Sequence, residues 1–86
     1  MSSLYSNNTG YNNTALGYLA GSNLTSGDTN IFIGYNTQPN IGNTASNQIN
    51  IGNVIYGYNG NVGIGVLSPL ARLDIGGNIR ITDGTQ

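Results

Sequence analysis

Asn30-Ile31-Phe32-Ile33-Gly34-Tyr35 is the stretch that decides the fold. It reads as an Asn, two residues, an aliphatic, then Gly. The phrase stands also at Asn13-Thr14-Ala15-Leu16-Gly17-Tyr18 and at Asn61-Val62-Gly63-Ile64-Gly65-Val66, and with Gln in place of Asn at Gln48-Ile49-Asn50-Ile51-Gly52-Asn53. The repeated glycines are Gly17, Gly34, Gly52 and Gly65, at spacings of 17, 18 and 13 residues. A short fixed-order repeat predicts a stacked β architecture, in which each copy is one rung that cannot bury its own apolar face. Within the stretch, strand alternation puts Ile31 and Ile33 on one face and Phe32 on the other.

Composition supports an ordered but thinly cored chain. The 86 residues suffice for one small domain, and Asn, Gly, Thr and Ser make up just over half of them. A net charge of −1 is too small for disorder by self-repulsion. The aliphatics sit in i, i+2 pairs rather than at random. Ile, Leu, Val and Phe total only 21 residues, and there is no Cys for a disulfide and no His for a metal. Small scaffolds need such staples or a partner, so oligomerisation is the expected source of stability.

The same composition excludes several function classes. Two basic residues, Arg72 and Arg80, cannot form an electrostatic footprint for nucleic acid. No apolar run approaches the length of a membrane span. Met1-Ser2-Ser3 opens without the pattern of a secretory leader. No metal or organic cofactor is expected.

Seven short strands are predicted, over residues 14–18, 30–35, 48–52, 54–58, 61–66, 72–75 and 79–82, with no helix of ordinary length. Turn formers lie between them, as at Gly21-Ser22-Asn23, Ser26-Gly27-Asp28 and Gln38-Pro39-Asn40. Asn59-Gly60 is a strong two-residue hairpin signal, because a type I′ turn needs positive φ at both central residues. Gly76-Gly77-Asn78 predicts a three-residue hairpin loop. That register sets Ile75 opposite Ile79, Leu73 opposite Ile81, and Asp74 opposite Arg80 on the other face. Ser68 as N-cap and Pro69 at the first position predict one turn of α- or 3₁₀-helix. The chain therefore divides into a repeat-bearing β region, 1–66, and a terminal segment, 67–86, holding the Ser-Pro turn and the last strand pair.

Catalytic and ligand motifs are scarce. Gly60-Asn61-Val62-Gly63-Ile64-Gly65 reverses the dinucleotide fingerprint and has no strand–helix context, so tight β corners explain its glycines better than a phosphate. The sequons at Asn7, Asn12 and Asn23 occur at the frequency that Asn and Ser/Thr content gives by chance. The chain holds no His, Cys, Lys or Glu, and Asp28, Asp74 and Asp83 fall in or beside turns without pairing. It is expected not to be an enzyme.

The six tyrosines, beside one Phe and no Trp, are the other compositional signal. Tyr18 and Tyr35 follow corner glycines, and Tyr56 and Tyr58 flank Gly57. Tyr offers contact area and a hydroxyl at low entropy cost, so these four are candidate receptor contacts. Rings that cover a thin core with their hydroxyls in water are the plainer explanation.

Residues 13–35, NTALGYLAGSNLTSGDTNIFIGY, resemble the head repeats of trimeric autotransporter adhesins and related phage and virus fibres. Residues 59–81, NGNVGIGVLSPLARLDIGGNIRI, are similar to a segment near the C-terminal end of tail-fibre and tail-spike proteins. That segment runs from an Asn-Gly turn through NVGIG and a Ser-Pro turn to a Leu-Asp strand. The resemblance implies an all-β, intertwined parallel homotrimer of stacked short strands around a three-fold axis, of β-helix, β-prism or β-roll type. It implies that Leu16, Ile33, Ile51 and Ile64 point inward as structural core and that Gly17, Gly34, Gly52 and Gly65 are tight corners. On that basis Gly34→Val blocks assembly, Thr37→Val in a presumed loop is tolerated, and Ile33→Asn costs more than Phe32→Asn. The irregular spacing, unlike that of adhesin heads, favours strands shared between chains.

The function so implied is a structural and host-recognition module of a viral or phage fibre. Its partners would be two further copies of itself and a host cell-surface glycan or protein, with the virion surface as its location. The alternative is the head of a bacterial trimeric adhesin at the cell surface. A second alternative is a fibre-borne polysaccharide lyase, since viral lyases use triple-stranded β-helices with few special residues.

Overall fold

Alternating apolar residues form strands wherever the phrase occurs, and positive-φ corners end them. The computed structural model describes residues 3–5, 7 and 9–82. Its strands are β1 (Thr14–Leu16), β2 (Ile31–Ile33), β3 (Gln48–Ile51), β4 (Ile55–Tyr58), β5 (Asn61–Ile64) and β6 (Leu73–Ile75). They form one six-stranded sheet in sequence order. The chain is all-β, with no helix among the described residues.

β1, β2 and β3 are parallel, with Leu16 beside Ile33 and Ile33 beside Ile51. The chain thus returns to the same register after 17 and then 18 residues. The loops stack as well: Gly21 N donates to Thr37 O at 2.7 Å and Thr25 N to Asn43 O at 2.8 Å. Each pass has a left-handed corner before its strand, at Asn12, Thr29 and Asn47 (φ 57°, 58° and 61°). Another follows it, at Gly17, Gly34 and Gly52 (φ 125°, 117° and 62°).

The third spacing is shorter because the chain stops coiling. Gly52 and Asn53 both take positive φ, and β4 folds back antiparallel on β3. Asn59 and Gly60 (φ 51° and 88°) turn it again, pairing Tyr58 with Asn61 as the Asn-Gly signal predicts. Unequal spacing is therefore accommodated within one chain, and the pairing of these strands needs no second one.

Beyond β5 two expectations fail. Residues 65–72 form bends rather than a helical turn. Pro69 is buried beside Gly63, where a Cβ would stand 3.3 Å from the ring. Its carbonyl accepts from Asn61 Nδ2 at 3.3 Å. The connection is thus held by contacts with β5 that a cap-and-proline signal does not encode. The 76–78 hairpin is also absent. β6 pairs parallel with β5, setting Leu73 beside Val62 and Ile75 beside Ile64. Residues 79–82 form no strand. Asp74 accepts from Leu70 N at 3.1 Å instead of facing Arg80. β6 continues the sheet across the expected boundary at 66/67.

The registers sort the side chains into rows. Ala15, Phe32, Asn50, Tyr56, Gly63 and Asp74 line one face. There Phe32 is fully buried with Ala20 and Leu24 from the loops, and Leu4 and Ala15 pack on that cluster. The other face carries Thr14, Ile31, Ile49, Gly57, Val62 and Leu73 in one row. Leu16, Ile33, Ile51, Ile55, Ile64 and Ile75 form the next.

The four residues expected as core thus do share one row, but it lies away from the chain's own interior. Leu16 is 65 % exposed, Ile51 36 % and Ile64 41 %, and Ile33 is half-buried. Within the chain the core residue is Phe32. Alternation separates the two faces, but the loops that bring Ala20 and Leu24 decide which face the chain covers. The surface of 5387 Å² exceeds the roughly 4,800 Å² usual for a monomer of this mass. An extent of 50 × 24 × 17 Å and the uncovered face account for the excess.

Thr29 is an exposed β-branched residue in a left-handed corner whose register neighbours are both Asn. β-branching penalises that region and Asn tolerates it. Thr29→Asn is expected to stabilise by about 1 kcal/mol, raising the melting midpoint by several degrees. A lowered midpoint in a thermal melt would refute the corner.

Candidate functional site

The Asn of the repeated phrase has a structural task. Asn13 Oδ1 accepts from the backbone N of Asn30 at 2.9 Å and from its Nδ2 at 3.1 Å. Asn30 Oδ1 in turn accepts from the backbone N of Gln48 at 2.8 Å. The remaining donors go sideways, Asn13 Nδ2 to Gly27 O at 2.8 Å and Asn30 Nδ2 to Ala45 O at 3.1 Å. Gln48 closes the ladder. Its Oε1 accepts from Ile41 N and Gly42 N, and its Nε2 donates to Gly42 O and Ala45 O. Asn30 and Gln48 are fully buried. Their satisfied groups make the ladder tolerable inside so small a core.

The Gly of the phrase has the complementary task. A Cβ on Gly17 would stand 2.7 Å from Gly34 O. One on Gly34 would stand 3.3 Å from Gly52 Cα and from Thr37 Cγ2. Glycines in the loops do likewise: a Cβ on Gly10 would collide with Gly27 O, and one on Gly27 with Ala45 O. Asn-x-x-x-Gly is therefore a stacking code. The Asn side chain caps an amide of the next rung, and at Gly17 and Gly34 the Gly clears that rung's backbone. Gly52 and Gly65 (φ 62° and 74°) keep the left-handed corner but have open space around them. Thr37 is no loop bystander. It is fully buried, and its Oγ1 donates to Gly34 O at 3.1 Å, so Thr37→Val removes a bond at the corner it was to be compared with.

The candidate tyrosines separate into two pairs. Tyr18 and Tyr35 follow consecutive corner glycines and stack with centroids 6.0 Å apart and planes at 12°. Both are exposed, at 54 % and 69 %. Asn53 takes the next position down, so the aromatic ladder has these two steps. Tyr56 instead lies in the inner row and donates its hydroxyl to Asn53 O at 2.9 Å. Buried and spent on that bond, it cannot serve as a receptor contact, which corrects its assignment. Tyr58 is half-buried at the end of β4.

The acidic residues are engaged locally. Asp28 accepts from Tyr11 N at 2.7 Å and Asp74 from Leu70 N. Asp83 lies outside the described residues. No pocket indents the described surface. What the chain offers is a surface: the outer aliphatic rows and, at one rim, the stacked tyrosines. Sequence reading found the glycines and the aliphatics but gave the Asn no role. Its constant distance of four residues from the Gly was the signal available.

Asn30→Leu leaves the buried amide of Gln48 without an acceptor and should cost about 1–3 kcal/mol in chemical denaturation. Asn43→Leu, at an exposed position, should be close to neutral. Equal effects would deny the ladder its role.

No family model, curated protein or solved structure matches the chain.

Proposed function

We infer that the chain is a structural and recognition segment of a viral or phage fibre. Three copies pack their outer aliphatic rows around a common axis and leave the tyrosine rim facing out. The observation that carries this reading is the uncovered face. Two in-register apolar rows run over six strands, about 24 Å at ordinary strand spacing, and carry no charged side chain. Contiguous apolar surface of that kind marks an interaction site. Copies of the same chain meet it with the same residues at the same level, and a net charge of −1 gives them little to repel. On this reading Leu16, Ile33, Ile51 and Ile64 are core of the assembly rather than of the chain. Tyr18 and Tyr35 present stacked rings to a glycan or protein on the host.

A second reading, the head of a bacterial trimeric adhesin, draws support from the stacking of β1, β2 and β3 within one chain. Both readings place the segment on an exterior surface and both require association.

Light scattering and circular dichroism on two variants test the association. Ile33→Asn puts an amide into an apolar layer three times over. It is expected to leave the β signal of the chain but reduce the solution mass from three chains to one. Phe32→Asn strikes the chain's own core and is expected to lose both, at about 3–5 kcal/mol, the cost of losing a buried Phe. A wild-type protein that is a folded monomer at micromolar concentration would refute the assembly.

A further inference from the structure

The aromatic ladder stops in the middle of the chain, and it stops with a ring face uncovered. Below Tyr35 the register reaches Asn53, where the chain turns back on itself. Asn53 is held toward the inner row, its Oδ1 accepting from Asn50 Nδ2 at 3.1 Å. Tyr35 therefore has a ring on one face only, that of Tyr18. At 69 % exposed, it leaves the other face bare.

The backbone behind the rings is fixed. Asn36 N donates to Tyr18 O at 2.8 Å. Gln38 ties the two passes together: its Nε2 donates to Leu19 O at 2.7 Å and to Asn36 Oδ1 at 2.9 Å, and its Oε1 accepts from Asn23 N at 2.9 Å. Leu19 keeps a left-handed backbone (φ 63°), which a bulky residue holds only where its surroundings over-determine it. Groups ordered in advance lose less freedom when something binds. Asn36 is exposed, and its Nδ2 donates to no described residue. The bond from Gln38 to its Oδ1 sets the plane of that amide.

The chemistry of this rim selects a ligand class. Asp28 is the only charged side chain between residues 3 and 71, and it stands before β2, at the other end of the strands. A bare aromatic face attracts slightly positive hydrogens on a flat apolar surface. The free amide of Asn36 offers a donor to a neutral oxygen, and no charge is at hand to pair with an ionic ligand. A pyranose has both features, C–H bonds on its face and hydroxyls around its edge. A protein partner would need roughly 800 Å² on each side, and two rings bordered by Asn36, Gln38 and Ser22 do not supply it.

We propose that Tyr35, backed by Tyr18 and flanked by Asn36, is a subsite for a neutral pyranose. The sugar lies on the open face of Tyr35, and one of its oxygens accepts from Asn36 Nδ2. The proposal rests on the reading of this rim as the outward, recognising side, and it narrows the occupant to a carbohydrate.

The test is an NMR titration of ¹³C- and ¹⁵N-labelled full chain with methyl β-D-glucopyranoside and methyl β-D-galactopyranoside as probes. At least one is expected to shift the ring signals of Tyr35 and the side-chain amide of Asn36, with Kd about 1 mM as suits so small a ligand, while Tyr58 stays still. Tyr35→Phe keeps the ring and is expected to bind like the wild type; Tyr35→Ala is expected to lose the binding. Asn36→Asp keeps the left-handed backbone and the acceptor for Gln38 but loses the donor, and is expected to bind about tenfold more weakly. Three results overturn the proposal: no shift from either glycoside at about 0.1 M, wild-type binding by Tyr35→Ala, or shifts centred on Tyr58 or the aliphatic rows. Solution mass measured on the same samples keeps the two claims apart. Three chains with no shift defeats the subsite alone, and one chain with the shift leaves it standing.

Discussion

Everything in this structure depends on stacking one pass of chain on the next, with no room for a side chain at Gly17 or Gly34 and with the amides of Asn30 and Gln48 capped by the rung before. A sheet whose strands are three or four residues long cannot hold its register by strand pairing alone. A one-residue slip turns every apolar side chain to the wrong face. The Asn13–Asn30–Gln48 ladder removes that freedom, because a slipped rung leaves a buried amide without its acceptor. Gly17 and Gly34 add a steric limit, since a Cβ at either meets the backbone of the adjacent rung. Hydrogen bonding and exclusion, rather than apolar burial, set the fold.

That division explains the composition. Asn is abundant because its short side chain reaches the next rung's amide while tolerating left-handed backbone, as at Asn12, Asn36, Asn47, Asn53 and Asn59. Gly is abundant because the stack is tight. The chain's own apolar core is then free to be small, confined to Phe32, Ala20 and Leu24 with Leu4 and Ala15 at its edge. The larger aliphatic residues are spent on the opposite face. A fold organised this way keeps its larger apolar surface outside.

Much of this was legible in the sequence. The phrase marks four of the six strands and sets its four aliphatics in one row, because period-two alternation is a local property. Asn59-Gly60 fixed its hairpin for the same reason. What failed was non-local. Nothing near Ile33 tells which face its own chain covers, since Ala20 and Leu24 arrive from a loop. Tyr56 looked like an exposed aromatic until the register put it inside with its hydroxyl on Asn53. Pro69 was misread because its conformation follows contacts with β5, and the 76–78 hairpin because β6 pairs with β5 instead. The Asn ladder was visible as a constant spacing yet carried no meaning until the stacking was known.

The most direct test of this account is scalar coupling across the ladder's hydrogen bonds in deuterated, ¹³C- and ¹⁵N-labelled protein. The account predicts correlations from the amide nitrogen of Gln48 to Cγ of Asn30, and from that of Asn30 to Cγ of Asn13. Correlations from those nitrogens to backbone carbonyl carbons, or fast exchange of both amides with solvent, would contradict it.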